Sequence, residues 1–187
     1  MRLTFDEIWR STLIIGGTAL AWLVVFDLNT WLFSQAALSE RVNWIFLPAA
    51  LRIIFILLFQ GRGAVGLIFG AYLTLPHTNP DDFSYEILLA VSSGLAPLSA
   101  VVFCQQFFMV HSELEGLNGW HIIALSIASA TANAIILNAL LAVMGQQLPS
   151  LEAIAAVFAG DVLGAAIVIT IISFSLSGIL ALMKRAH

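Results

Sequence analysis

The sequence predicts an all-α, polytopic membrane protein, a bundle of about six transmembrane helices in one domain over residues 1–187. Composition is the first reason, since 60% of the residues are hydrophobic and only 10% are charged. Soluble domains have about half apolar and a quarter charged residues, so lipid is the expected solvent for much of this surface. The mean hydropathy of +1.00 agrees. The second reason is that the apolar residues fall into six runs.

These six runs differ in length. Crossing a hydrocarbon core of about 30 Å takes about 20 helical residues. The first, fourth, fifth and sixth runs reach that length, whereas the second and third are shorter. The polar turn at 60–63 separates the two short runs and predicts a helical hairpin, which either spans fully or dips in and returns; we prefer six full spans. The runs are 11–33, 44–59, 64–76, 86–110, 120–144 and 154–183.

The basic residues are unevenly distributed between the predicted loops. An N-terminus in the cytoplasm places five of them inside and one outside, as the positive-inside rule requires. Six spans then return the C-terminus to the cytoplasm as well. The internal residues are Arg2, Arg10, Arg62, Lys184 and Arg185, and the external one is Arg41.

Polar residues within the apolar runs are the candidates for a site, because burying them in lipid is costly. At a rise of about 1.5 Å per residue they lie about 9 to 16 Å from the outer helix ends. They therefore share one layer in the outer half of the bilayer. Two interpretations stay open: a structural ion pair that fixes helix register, or a polar cavity that opens outward and binds something. The residues are Asp27, Arg52, Asn133, Asn138 and Asp161.

Small residues recur at a spacing of four in two of the runs. Gly66 and Gly70 do so in the third run, and Gly160 and Gly164 in the sixth. Such spacing lets helix backbones approach closely in lipid. We expect these glycines to pack helices within the bundle, with association to a partner helix as the alternative.

Two prolines are expected to interrupt helices. Pro48 lies in the second run and Pro97 in the fourth. A proline inside a helix frees a backbone carbonyl and introduces a kink. Arg52 lies one turn after Pro48, so its guanidinium is placed to bond a freed carbonyl.

Several chemistries have no motif in this sequence. The single cysteine, Cys104, excludes an internal disulfide and a cysteine-based zinc cluster. Glycine-rich phosphate loops, paired-histidine zinc motifs and nucleophile elbows do not occur. The acidic segment 111–115 is unsuited to nucleic acid. We therefore expect a non-enzymatic protein with no catalytic residue, metal or cofactor, whose partners include membrane lipids and exclude nucleic acid.

Two parts of the sequence resemble the MASE1 family of bacterial membrane sensor domains. The first is an aromatic-apolar-Pro-Ala entry at 44–51, followed by the Gly-Arg-Gly turn at 61–63 and glycines within 66–71. The second is a Gly-Asp-x-x-Gly element within 158–164. The resemblance covers about a quarter of the chain. It implies a sensory module in the bacterial inner membrane that detects a cue and transmits it inward.

The differences from that family shape the expected partner. Its members have about eight helices and are followed by a signalling enzyme, whereas this sequence has about six runs and stops after Lys184-Arg185. We therefore expect a sensor-like or accessory subunit that acts through another integral membrane protein or complex. The alternative is the substrate-binding component of an energy-coupling-factor vitamin transporter, in which Gly17 and Ala21 would contact the coupling partner.

Overall fold

The computed structural model describes residues 4–33, 37–39, 42–77, 83–107, 119–145 and 150–185, without the side chains of 37–39, 42–43 and 176–185. The described chain is an all-α bundle of five long apolar helices. Each is long and apolar enough to cross a membrane, α5 by its part Leu151–Ser175. The helices are α1 Phe5–Phe33, α2 Pro48–Leu73, α3 Phe83–Phe107, α4 Gly119–Val143 and α5 Leu151–Arg185. Two short antiparallel strands, β1 Ala37–Ser39 and β2 Val42–Asn43, follow α1.

α2 combines the two short apolar runs and turns back on itself at Gln60. This residue has φ 49° and ψ −127°, far from helical values. A side-chain carbon at Gly63 would collide with the carbonyl oxygen of Phe55. In a straight helix these two residues, eight positions apart, would be separated by about 12 Å. The two arms of α2 therefore run in opposite directions, which makes it a hairpin.

The structure therefore has five long helices rather than about six, because the two short runs belong to one α2, whose arms form the hairpin predicted for them. The arms, 48–59 and 61–73, are each about 18 to 20 Å long at 1.5 Å per residue. That is less than the roughly 30 Å core of a bilayer, so each arm crosses fully only together with the residues that flank it. The preference for two full spans stays a prediction.

Contacts between the helices define two ends of the bundle. Leu47 donates its backbone N–H to the side chain of Asn29 near the end of α1, and Phe46 donates to Gly160 near the start of α5. We call this the upper end. α1 rises towards it and α5 descends from it, so Phe5 and Arg185 lie at the same, lower end.

The lower end also contains the turn of α2. Arg10 in the second turn of α1 and Arg62 beside Gln60 line one groove there. A capping box begins α1 at this end, because the hydroxyl of Thr4 accepts from the N–H of Glu7 (3.3 Å) and the carboxylate of Glu7 accepts from the N–H of Thr4 (2.9 Å).

Four of the basic residues that were assigned to one side of the membrane have no described side chain. Arg2 and Arg41 lie outside the described residues, as does the acidic segment 111–115. The side chains of Lys184 and Arg185 do so too, although their backbone belongs to α5.

α1 packs chiefly on the hairpin and forms one edge of the bundle. Gly66 lies against Thr18 and Ile15, and Gly70 against Trp22. Because these glycines have no side chain, the second arm of α2 approaches α1 closely. In lipid such close packing stabilises helix association in place of the hydrophobic effect that acts in soluble proteins. The outer faces carry exposed large apolar residues, as expected of a surface in contact with lipid.

The prolines have different roles from those predicted. Pro48 is the first residue of α2 rather than an interruption, a position where its missing N–H costs no helical hydrogen bond. Pro97 does lie inside its helix, α3. Since Pro48 frees no carbonyl within a helix, the expected bond from Arg52 to such a carbonyl is replaced by the ion pair described below.

Candidate functional site

Three helices bring one buried ion pair and one amide together below the upper end. Arg52 of α2 donates from Nη1 to both carboxylate oxygens of Asp161 on α5, at 3.2 and 3.0 Å. Asn133 of α4 donates from Nδ2 to Oδ2 of Asp161 at 2.7 Å. The three residues are 5%, 4% and 4% exposed. We call them the Arg52 cluster.

The segment before α2 explains how these helices come so close. Phe46 and Leu47 precede the first residue of α2, so no carbonyl of that helix pairs with their backbone donors, and in lipid these donors need other partners. The N–H of Phe46 bonds the carbonyl of Gly160 at 3.0 Å, and that of Leu47 bonds Oδ1 of Asn29 at 2.8 Å. Gly164 is needed for the same approach, because a side-chain carbon there would collide with the carbonyl of Phe46.

The glycines on either side of Asp161 therefore have a structural role in the site. The missing side chain of Gly164 lets the Phe46-Leu47 segment pass directly against α5, and the carbonyl of Gly160 accepts from Phe46. α2 begins at the residue after this segment. Arg52 lies one turn into α2, which places its guanidinium beside the carboxylate of Asp161.

Aromatic rings surround the guanidinium. Its central carbon lies 5.0 Å from the ring centre of Phe46 and 5.3 Å from that of Trp22. Such cation–π contacts are stronger where water is excluded. Trp22 also meets Phe46 edge-on at 6.0 Å between ring centres, and its Nε1 donates to the hydroxyl of Thr74 at 3.3 Å. The two rings thus have fixed positions next to each other beside the cation.

A cavity of about 390 Å³ lies above the Arg52 cluster, and we call it the upper cavity. This volume is within the range of small-molecule sites. Apolar and aromatic side chains form most of its lining. Its polar side chains are Arg52, Thr74, Ser92, Ser93 and Asn133.

One donor in this lining has no partner. Nε of Arg52 is buried and has no hydrogen-bond partner among the described residues. A buried unsatisfied donor is costly and calls for an explanation. The upper cavity thus combines a largely apolar wall with a buried cation that has an unpartnered donor.

A second buried carboxylate lies near the mouth of the upper cavity. Glu86 of α3 is 5% exposed. It accepts from the backbone N–H of His77 at 2.9 Å, and its other oxygen lies 2.6 Å from Nδ1 of that histidine. These contacts tie the chain after Pro76, which lines the cavity, to α3.

Two of the five polar residues predicted to share a layer are not in the cluster. Asp27 is exposed on the outside of α1. Asn138 is buried, but its Nδ2 bonds the carbonyl of Ala134 one turn earlier in its own helix, at 2.9 Å. The predicted layer of five is therefore a cluster of three.

Sequence reasoning missed Asn29, Trp22, Phe46 and the His77–Glu86 pair. Asn29 carried a signal, since it is a polar residue in an apolar run just as Asp27 is. α1 has no pronounced apolar face, so sequence could not decide which of the two faces inward. The aromatic residues carried no such signal, because aromatic side chains recur throughout the chain.

The Arg52 cluster joins α2, α4 and α5 through the carboxylate of Asp161. A group of three histidine, cysteine or acidic side chains near enough to hold a metal does not occur within the ranges that the structure describes. The ion pair is neutral as a unit, which makes its burial tolerable.

Compared with known proteins, the chain matches no family model, no curated protein and no solved structure. The class that fold and composition define is therefore the broad one, a multi-pass membrane protein. The resemblance to MASE1 domains stays a prediction.

Proposed function

We propose that this chain is a non-enzymatic, sensor-like or accessory subunit that binds a small ligand in the upper cavity and acts through a partner membrane protein. The observation that carries the proposal is a 390 Å³ cavity whose lining includes Arg52, a buried cation with an unpartnered Nε. A purely structural ion pair would satisfy its donors within the bundle.

The lining indicates the kind of ligand. Phe26, Phe46 and Leu137 offer apolar contact, and Arg52 offers one hydrogen-bond donor from a cation already paired with Asp161. A small molecule with an apolar body and one acceptor group fits these contacts. Because the carboxylate of Asp161 neutralises the arginine, the acceptor need not be charged.

A route for transmission follows from the same contacts. Asp161 joins α5 to α4 through Asn133 and to α2 through Arg52. A ligand that shifts Arg52 would therefore bias the relative positions of three helices whose other ends lie at the lower side. A partner at that side, as the MASE1 resemblance implies, would receive the change.

The proposed orientation places the lower end in the cytoplasm of a bacterium and the upper cavity towards the outside. Arg10 and Arg62 lie at the lower end, which is the side that the positive-inside rule assigns to them. The hairpin begins and ends on the same side of the membrane, and the other four helices each cross it once. Both described ends of the chain, Thr4 and Arg185, would therefore face the cytoplasm of an inner-membrane protein.

A cavity-filling substitution tests the proposal. Ser93 of α3 lines the upper cavity, whereas Leu95 two residues later is 50% exposed on the same helix. Protein purified gently from native membranes should retain a small molecule, identified by mass spectrometry, that Ser93→Trp removes and Leu95→Trp leaves. Equal retention by the two variants, or none by the unmodified chain, would contradict a ligand site here.

The alternative is the substrate-binding component of an energy-coupling-factor vitamin transporter. The observation that favours it is an open face on α1, where a side-chain carbon at Gly17 would meet nothing within 4 Å. A coupling helix could pack there. Recovery of a vitamin from the upper cavity, together with a coupling protein lost on Gly17→Leu, would favour this alternative over the sensor.

A further inference from the structure

A second opening lies at the lower end and is separate from the upper cavity. It is a groove of about 1130 Å³ between the first half of α1 and the turn of α2, and we call it the lower groove. Its lining runs along α1 from Arg10 to Ala21 and along α2 from Phe55 to Arg62.

The chemistry of the lower groove changes along its length. Arg10 and Arg62 lie at the end of the groove nearest to water, where α1 begins and α2 turns. Above them the walls are apolar, with Leu13, Ile14 and Phe55 as examples. Two cations below an apolar channel are the arrangement that suits an amphiphile with an anionic head.

The length of the groove agrees with one leaflet of a bilayer. Arg10 and Ala21 are separated by about 16 Å along α1 at 1.5 Å per residue. One leaflet contributes about half of a hydrocarbon core of about 30 Å. A molecule with its head at Arg10 would therefore extend its chain to the bilayer centre by Ala21.

Glycine makes room for such a chain. Side-chain carbons at Gly16 and Gly17 would meet nothing within 4 Å, in contrast to Gly66 and Gly70, which lie against α1. The first pair thus makes no packing contact within the described bundle. Gly17 also lines the lower groove, and its missing side chain leaves the middle of the groove open to the membrane.

The lining of the lower groove contains two basic side chains, Arg10 and Arg62, and no acidic one. Asp6 and Glu7 precede Arg10 by about one turn and do not line the groove. Glu7 attracts Arg62 electrostatically, and one of its carboxylate oxygens accepts from the Thr4 N–H at 2.9 Å. The groove wall itself is therefore basic, with one acidic neighbour outside it.

We infer that the lower groove binds one anionic phospholipid, with its phosphate between Arg10 and Arg62 and one acyl chain along α1 up to Ala21. Basic pockets between membrane helices on the cytoplasmic side suit such headgroups. This site is independent of the upper cavity, and a protein lacking any ligand above would keep it.

Native mass spectrometry of the full chain in detergent tests the site. The probes are phosphatidylglycerol and phosphatidylcholine with identical acyl chains. We expect at least fivefold more phosphatidylglycerol adduct at equal concentration. Arg10→Gln and Arg62→Gln should each lower that adduct about fivefold, the factor that corresponds to about 1 kcal/mol per basic residue near an anionic surface.

Two further variants separate the groove from general surface charge. Gly17→Leu fills the apolar part, where there is room for a side chain, and should lower the adducts of both lipids while leaving the unfolding temperature unchanged. Lys184→Gln removes a charge from the last turn of α5 and should leave both adducts unchanged.

Three results would overturn the inference. Equal adducts of the two lipids would remove the role of the arginines. An effect of Lys184→Gln as large as that of Arg10→Gln would show attraction without a site. A stoichiometric protein complex that Gly17→Leu disrupts and both arginine variants leave intact would assign the groove to a partner helix instead.

Discussion

Arg52 and Arg62 lie in the two arms of one hairpin, yet their surroundings are opposite. Arg52 is 5% exposed, bonded to Asp161 and enclosed by aromatic rings, whereas Arg62 is exposed beside the wide lower groove. Near the upper end the segment before α2 donates to the side chain of Asn29 on α1 and to the backbone of Gly160 on α5, and Gly164 lies against Phe46. At the lower end α1 and the hairpin leave a gap. The upper region therefore determines which helices meet, whereas the lower region is free to bind another molecule.

Removing the carboxylate of Asp161 should cause the largest loss in the free energy of unfolding. Asp161→Asn leaves the charge of Arg52 buried and unpaired, which costs about 3 to 5 kcal/mol in the free energy of unfolding. Unfolding by SDS titration from mixed micelles would measure it. The double variant Arg52→Met with Asp161→Leu should recover most of the loss, since no charge then stays unpaired. A stable single variant would show that the pair is not buried as described.

Glycine substitutions compare the two regions directly. Gly164→Ala should cost about 3 kcal/mol, because the new carbon collides with the backbone of Phe46, which is held by α5. Gly17→Ala at the lower groove should change stability by no more than about 0.5 kcal/mol. The same SDS titration compares the two. Equal costs would mean that the lower groove is closed.

Two residues of α1 separated by one position give the next comparison. Asn29→Ala removes the acceptor of the Leu47 N–H and should cost about 1 to 2 kcal/mol, since that donor is buried in lipid surroundings. Asp27→Asn on the exposed face serves as the matched control and should stay within about 0.5 kcal/mol. Thermal unfolding in detergent would rank them. A reversed order would place the opposite face of α1 against the bundle.

The smallest effect is expected at the lower arginines. Arg10→Gln and Arg62→Gln each remove an exposed charge without a buried partner, so the free energy of unfolding should change by about 0.5 kcal/mol or less. The measurement is the same titration without added lipid. A loss comparable to that of Asp161→Asn would show that these arginines hold the bundle together, and the contrast between the two ends would fail.

The residues of the Arg52 cluster could each be recognised as candidates from the sequence. Which of the five candidates belong to the cluster could not be predicted. Asp161 and Arg52 were recognisable because charges in apolar runs are costly without each other. Asn133 was recognisable as an amide at a similar depth. Depth alone could not exclude Asp27 and Asn138, because it does not state where a side chain points around its helix.

The partners supplied by backbone and rings were beyond sequence reasoning. Gly160 and Gly164 were noted for their spacing, yet Gly164 accommodates the Phe46-Leu47 segment rather than another helix, and Gly160 accepts from that segment through its carbonyl. That segment precedes a proline and lies within an apolar run, so it could be taken for part of the helix. Its hydrogen bonds to α1 and α5 exist only once three elements are assembled.

The sequence by itself determined the membrane environment, the four long runs and the turn at 60–63, since these follow from composition, length and local turn chemistry. The tertiary structure alone decided that the turn stays within one folded-back α2, that Asn29 rather than Asp27 faces inward, and that Arg52 pairs with Asp161 beneath a cavity. The physical reason is that a helix apolar on all sides carries no stripe to fix its rotation. Only the packing of its neighbours, with their glycines and buried polar groups, selects the face that turns inward.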